Sequence, residues 1–157
     1  MIKPSRTQIG ALVLAASTLV GIATHEGYKG EAYIPVPGDV PTIGFGTTAG
    51  VKMGDKTTPV RSLQTLLDEI DSVYAQGVRR CVTVPLYQHE FAAMVSFSYN
   101  VGVSAFCGST LVKKINAEDY AGGCAELSKW VYGPGRKVLP GLVKRRAEER
   151  AICEGRA

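Results

Sequence analysis

Metal and nucleotide chemistry have little to stand on in this chain. It holds two histidines, His25 and His89, and four cysteines, Cys81, Cys107, Cys124 and Cys153, with no Cys-x-x-Cys pair. None of these spacings suits a zinc cluster. A P-loop, a Rossmann glycine fingerprint and a His-Glu-x-x-His helix are all missing, so neither a metal nor a cofactor is expected. A nucleophilic triad is equally unsupported, since no Ser or Cys lies in a nucleophile-elbow pattern. There is no low-complexity tract and no repeat, and a composition 45% hydrophobic and 20% charged excludes a disordered chain. The net charge of +4 is mild. It is compatible with a polyanion, whether cell-wall polymer, nucleic acid or anionic lipid, without choosing among them. A length of 157 residues suits one domain with room for two lobes.

Charge is also missing from residues 7–24, and Lys3 and Arg6 precede this run as in the positive start of an export signal. As a helix, roughly 17 residues at about 1.5 Å rise reach some 26 Å, short of a hydrocarbon core of about 30 Å. Gly10, Ser17, Gly21 and Thr24 dilute its apolar character further. Helical spacing places Ile9, Leu12, Val13, Ala16, Leu19, Val20 and Ala23 on one face. The segment therefore reads both as a weak membrane anchor and as a first helix docked on a soluble core.

After Gly27, glycine and proline punctuate a strand-like region. Residues 31–35, a Pro37-Gly38-Asp39 turn and residues 42–46 read as a small hairpin sheet. Thr58 before Pro59 forms an N-cap signal, and Leu63, Leu66, Leu67, Ile70, Val73 and Tyr74 keep a helical period up to Gly77. Further helical patterns cover 86–99, 109–116, 118–130 and 142–153, with Phe91, Met94, Val95 and Phe97 expected in the core. The fold class is α+β, mainly helical. Residues 1–24 form an N-terminal segment and residues 25–157 the main domain, divided into a small β lobe at 27–57 and a helical lobe at 58–157.

The even cysteine count fits two disulfides in an oxidising compartment if the N-terminus is an export signal; four reduced thiols are the alternative. Three connectivities are open. The expected one joins Cys124 to Cys153, between two late helices, and Cys81 to Cys107, although sequence alone does not settle the pairing.

Candidate chemistry then falls to carboxylates. Glu26 lies where the apolar segment meets a glycine turn, a place that favours the neutral, proton-donating form of an acid. Asp39 lies in a polar turn, where a carboxylate stays ionised and can act as a base. Each also has an ordinary reading, Glu26 as a helix-end carboxylate and Asp39 as a turn former.

The combination Glu26-Gly27, Ala32-Tyr33 and Thr42-Ile43-Gly44-Phe45-Gly46 resembles the active-site signature of phage-type lysozymes, the T-even-like endolysins of glycoside hydrolase family 24. The likeness continues through residues 91–102 (FAAMVSFSYNVG), Ser109-Thr110-Leu111, Ile115-Asn116, Trp130, and the stretch from Gly141 through Arg145 and Arg146 to Glu149. It covers nearly the whole chain after about residue 22. The resemblance implies a lysozyme-like two-lobe fold with a long connecting helix, and a muramidase acting on the β-1,4 bond between N-acetylmuramic acid and N-acetylglucosamine. Glu26 would be the general acid, Thr42 would position the attacking water, and a second carboxylate would be the base, with inversion as the implied outcome. Family members usually place an Asp two residues after the tyrosine, where this chain has Pro35. Asp39 is therefore nominated as base and Glu31 as the reserve. Asn100 resembles an amide lining the substrate cleft, and Arg145 or Arg146 could pair with Glu26.

Related endolysins with a signal-anchor-release segment are exported, tethered inactive in the inner membrane and later released. The resemblance thus implies periplasmic action, transient membrane contact through residues 7–24, a peptidoglycan substrate, no nucleic-acid partner and a monomer. None of the four cysteines lies in the anchor, so inactivation would be geometric. The rival readings are a lytic transglycosylase using Glu26 alone and a non-enzymatic membrane-active lysis protein.

Overall fold

Thr58 and Pro59 start the longest helical stretch as their residue types dictate: the Thr58 Oγ1 accepts the Arg61 backbone N–H at 3.3 Å, and proline occupies the first turn. The computed structural model describes residues 5–157, so Lys3 lies outside the described residues. In chain order a 3-10 turn at Ile9–Ala11 leads to α1 (Ala16–Glu26), β1 (Lys29–Tyr33), β2 (Thr42–Gly44) and α2 (Pro59–Glu69). A π turn at Ile70–Ala75 joins α2 to α3 (Gln76–Cys81). There follow α4 (Gln88–Val101), α5 (Val103–Cys107), α6 (Thr110–Asn116), α7 (Tyr120–Glu126) and α8 (Pro140–Cys153).

The strands form an antiparallel pair with Lys29 opposite Gly44 and Tyr33 opposite Thr42. The fold is mainly helical, with this small sheet preceding the long helix. That helix does not stop at Gly77 as expected. It runs on to Cys81 because Gly77 is buried against α5, where a Cβ would lie 2.7 Å from the Val103 Cγ1. Close packing, not termination, accounts for the glycine.

The helical lobe buries Leu66, Ile70, Phe91, Met94, Phe97, Phe106, Leu111 and Ile115 to 1% exposure or less, with each large side chain contributing about 1.5–3 kcal/mol. Phe91, Met94, Val95 and Phe97 are core residues, as their spacing on α4 implies. Disulfides join Cys81 to Cys107 and Cys124 to Cys153, tying α3 to α5 and α7 to α8.

The N-terminal segment departs from the single amphipathic helix. Leu12 and Ala15 are extended, and the helix begins only at Ala16. The reason lies in the partners: the Leu12 carbonyl accepts from Arg79 Nη2 at 2.9 Å, and the Val13 carbonyl accepts from Gln88 Nε2 at 2.7 Å. Carbonyls that would have closed helical turns are instead held by side chains of the helical lobe. The expected apolar face is accordingly broken. Of that face Leu12 and Ala23 are buried but Val13 and Val20 are exposed, and Thr18 and Ile22, outside it, are buried as well. Among the described residues, no helix is long and apolar enough to cross a membrane.

Candidate active site

Glu26 is the last residue of α1, and the helix closes with the Gly27 N–H bonded to the Ala23 carbonyl at 3.0 Å. Its side chain is 26% exposed, and Oε1 accepts from Arg145 Nη1 at 3.0 Å. The other oxygen lies over the end of the hairpin. A Cβ on Gly46, whose φ is +95°, would come within 3.5 Å of Glu26 Oε2 and 3.4 Å of the Tyr99 hydroxyl. Both distances are ordinary van der Waals contacts, so the left-handed backbone is what calls for glycine there.

Tyr99 donates to the Phe45 carbonyl at 3.2 Å and packs edge-on against Tyr74, with centroids 4.9 Å apart. Burial, and then the charge of Glu26, push the Tyr99 phenol above its ordinary range. Burial, followed by the charges of Glu69 and Glu26, does the same to Tyr74. On α2, Glu69 is half-buried, and its carboxyl is raised by burial first and Glu26 second. The acid is thus paired with an arginine, and its charge is felt by a second carboxylate and two tyrosines.

Thr42 opens β2 and is buried, its hydroxyl donating to the Val40 carbonyl at 3.2 Å. Asp39 sits on the exposed turn between the strands. Its N–H reaches the Val36 carbonyl at 2.9 Å, and its Oδ1 accepts the Val40 N–H at 2.9 Å. Among the described residues, no hydrogen bond or ion pair links Asp39 to Glu26 or Thr42. Glu31 is exposed on β1 and pairs with Lys56 at 2.9 Å.

The two arginines of α8 divide their work. Arg145 reaches Glu26, whereas Arg146 donates to Asn100 Oδ1 and, through Nε, to the Trp130 carbonyl at 3.1 Å. Both converge on Glu149, which is buried and also accepts from the Ser96 hydroxyl at 2.8 Å. Asn100 borders a groove with Trp130, Tyr132, Leu142 and Arg146. The sequence places Glu149 and Tyr99 within family-like stretches without giving either a role, and Glu69 carries no signal. For Glu149 a signal existed: a carboxylate three and four residues after two arginines can bridge both on one helix.

Residues 23–149 match the family described as Phage lysozyme. The chain is 40% identical to the SAR-endolysin of Pseudomonas phage phiKMV, over 98% of this chain and 92% of that protein. Among solved structures, the endolysin from Escherichia coli O157:H7 phage FAHEc1 superposes with a TM-score of 0.83 at 34% identity, covering 94% of this chain and 96% of its own. The muramidase domain of SpmX from Asticaccaulis excentricus gives a TM-score of 0.84 at 25% identity, covering 90% and 97%.

Proposed function

The chain belongs to the phage lysozyme family, a glycoside hydrolase family acting in peptidoglycan lysis, and from that premise we propose the bond, the mechanism and the mode of delivery. The bond is the β-1,4 link between N-acetylmuramic acid and N-acetylglucosamine, a reading supported by similarity to a muramidase domain. Glu26 is the general acid that protonates the glycosidic oxygen. Asp39 is the base, Thr42 orients the attacking water, and inversion follows if the two carboxyls open to about 6.5–9.5 Å around that water. Asn100 contacts an acetamido group. The observation that carries this reading is the Glu26 carboxylate held between Arg145 and the Gly46 end of the hairpin.

Residues 1–24 act as the signal-anchor-release segment and residues 25–157 as the catalytic domain, with the β lobe at 27–57 and the helical lobe at 58–157. The name of the phiKMV relative supports this delivery route. The enzyme is exported, tethered to the inner membrane through residues 7–24, and active in the periplasm as a monomer once that segment docks on the helical lobe and residues 16–26 fold as α1. Glu26 ends that helix, so drawing the helix into a bilayer removes the acid from the hairpin.

Digestion of purified peptidoglycan by the parent and by Glu26→Gln tests the chemistry. The parent should release muropeptides with hydrated reducing ends by mass spectrometry, and the variant should be inactive while folded. Anhydromuramic ends would replace hydrolysis with a transglycosylase reaction, and parental lysis by Glu26→Gln would remove the acid assignment.

A further inference from the structure

Arg145 and Arg146 are adjacent, both buried, and both served by one carboxylate, Glu149, which is 1% exposed. Glu149 Oε1 accepts from Arg145 Nε at 3.1 Å and from the Ser96 hydroxyl at 2.8 Å, while Oε2 accepts from Arg146 Nη1. Each arginine then extends a different nitrogen outward. Arg145 Nη1 meets Glu26 at 3.0 Å, and Arg146 Nη2 meets Asn100 Oδ1. Arg146 is further fixed by the Trp130 carbonyl at 3.1 Å and by the Phe97 ring, whose centroid lies 4.9 Å away. Two neighbouring cations in a poorly polarisable interior repel one another unless an anion bridges them.

We infer that Glu149 is a positioning residue that orients Glu26 through Arg145 and the Asn100 amide through Arg146. This rests on the proposed role of Glu26 as the acid. An arginine free to offer two parallel N–H groups would grip a carboxylate in bidentate fashion and favour its ionised form. Glu149 holds the Arg145 Nε and the Ser96 carbonyl takes Nη2 at 3.5 Å, so Glu26 receives a single N–H from Nη1 and keeps its second oxygen beside Gly46 and Tyr99. At Asn100, engagement of Oδ1 by Arg146 leaves the amide NH2 as the group available to a ligand. Asn100 therefore donates, and the N-acetyl carbonyl of the substrate is the acceptor that fits. One buried carboxylate sets both the acid and the polarity of a substrate contact.

The charged and titratable groups around this network come from five elements. Arg145, Arg146 and Glu148 belong to α8, and Tyr99 to α4. His25 of α1 pairs with Glu148 at 3.0 Å on the wall of a cavity of about 130 Å³ that Glu149 also lines. Glu69 of α2 and Tyr74 of the π turn are both pushed up, first by burial and in part by the charge of Glu26. Variants at position 149 leave all of these in place, so differences among such variants report on Glu149 itself.

The test compares initial rates of muropeptide release by the parent, Glu149→Gln and Glu149→Asp across pH, each normalised to the folded fraction from circular dichroism. Glu149→Gln keeps the volume and removes the charge, handing more of Arg145 to Glu26. Ionised Glu26 is then favoured, so the alkaline limb of the rate profile should move to lower pH, with kcat down on the order of 100-fold. Glu149→Asp keeps the charge but is one methylene short of spanning Ser96 and both arginines, so kcat should fall with the alkaline limb unmoved. An unmoved limb in folded Glu149→Gln, or parental kcat in Glu149→Asp, overturns the proposal. Should Glu149→Gln not fold, Glu149→Asp decides alone. Parental activity in a Glu26→Gln control would instead remove the acid reading, and this proposal with it.

Discussion

Arg6 and Glu90 join the start of the chain to the heart of the helical lobe: Glu90 is 3% exposed and accepts from Arg6 Nη2 at 2.7 Å and Nε at 3.0 Å. The guanidinium lies 3.5 Å from the Tyr120 ring centroid and 4.4 Å from that of Tyr87. Next to it, Thr7 and Leu86 exchange two backbone hydrogen bonds of 2.8 and 2.9 Å. The basic residue before the uncharged run is therefore the cation that neutralises a buried carboxylate once the segment lies on the protein.

Removing that cation leaves Glu90 charged and buried. Arg6→Ala should destabilise the folded enzyme by about 3 kcal/mol, read as a lower denaturation midpoint in urea. The double variant Arg6→Met with Glu90→Met should recover most of the loss. Equal midpoints for the parent and Arg6→Ala would show that the pair contributes nothing.

Asp39→Asn should lower hydrolysis by 100-fold or more, the usual worth of a general base, with the melting temperature unchanged because the residue is exposed. Glu31→Gln, which removes only an exposed pair with Lys56, should stay near the parental rate. The reverse result would move the base to Glu31.

Glu69 supplies a pH test of stability. Its carboxyl titrates higher in the folded state than in the unfolded chain, so the folded state binds the proton more tightly. The associated stability is fully present below the unfolded value and is lost as pH rises through the folded one. At neutral pH the ionised group is therefore a net cost. Glu69→Gln should raise the neutral-pH stability by up to about 1 kcal/mol after solvent screening and change little in acid. Thermal melts at both pH values check this, and a loss of neutral-pH stability would contradict it.

The two disulfides span nearly equal separations, 26 and 29 residues. Replacing either pair by alanine should therefore cost a similar amount, about 3 kcal/mol in the chain-entropy description. Chemical denaturation of the two double variants measures this, and a large inequality would point to packing around one bridge.

Leucines introduced across residues 9–23 should hold the protein in the membrane fraction and leave it unable to digest cell walls. Fractionation combined with a lysis assay tests this, and full activity in the anchored form would refute release as the switch.

Much of the fold was legible because local chemistry and global structure agree. Thr58-Pro59 caps a helix, the 3.6-residue spacing of Phe91, Met94 and Val95 marks a buried face, and the glycine-punctuated residues 42–46 end a hairpin. Elsewhere a distant partner outweighed local preference. Arg79 and Gln88 capture the carbonyls of Leu12 and Val13 and unwind what periodicity alone reads as helix. Gly77, a stop signal in sequence, lies mid-helix because Val103 packs where a side chain would be.

The same division holds at the candidate site. The chain by itself determined the family, the hairpin motif and the place of Glu26 at the junction of an uncharged segment and a glycine, since those depend on residue order. Tertiary structure decided which arginine meets Glu26, that Glu149 bridges both arginines, and that Glu69 shares the neighbourhood of the acid. Adjacent arginines point in different directions around a helix, and their partners come from α1 and α4, far away in the chain. No local pattern carries that choice; only the packing of α8 against α1 and α4 makes it.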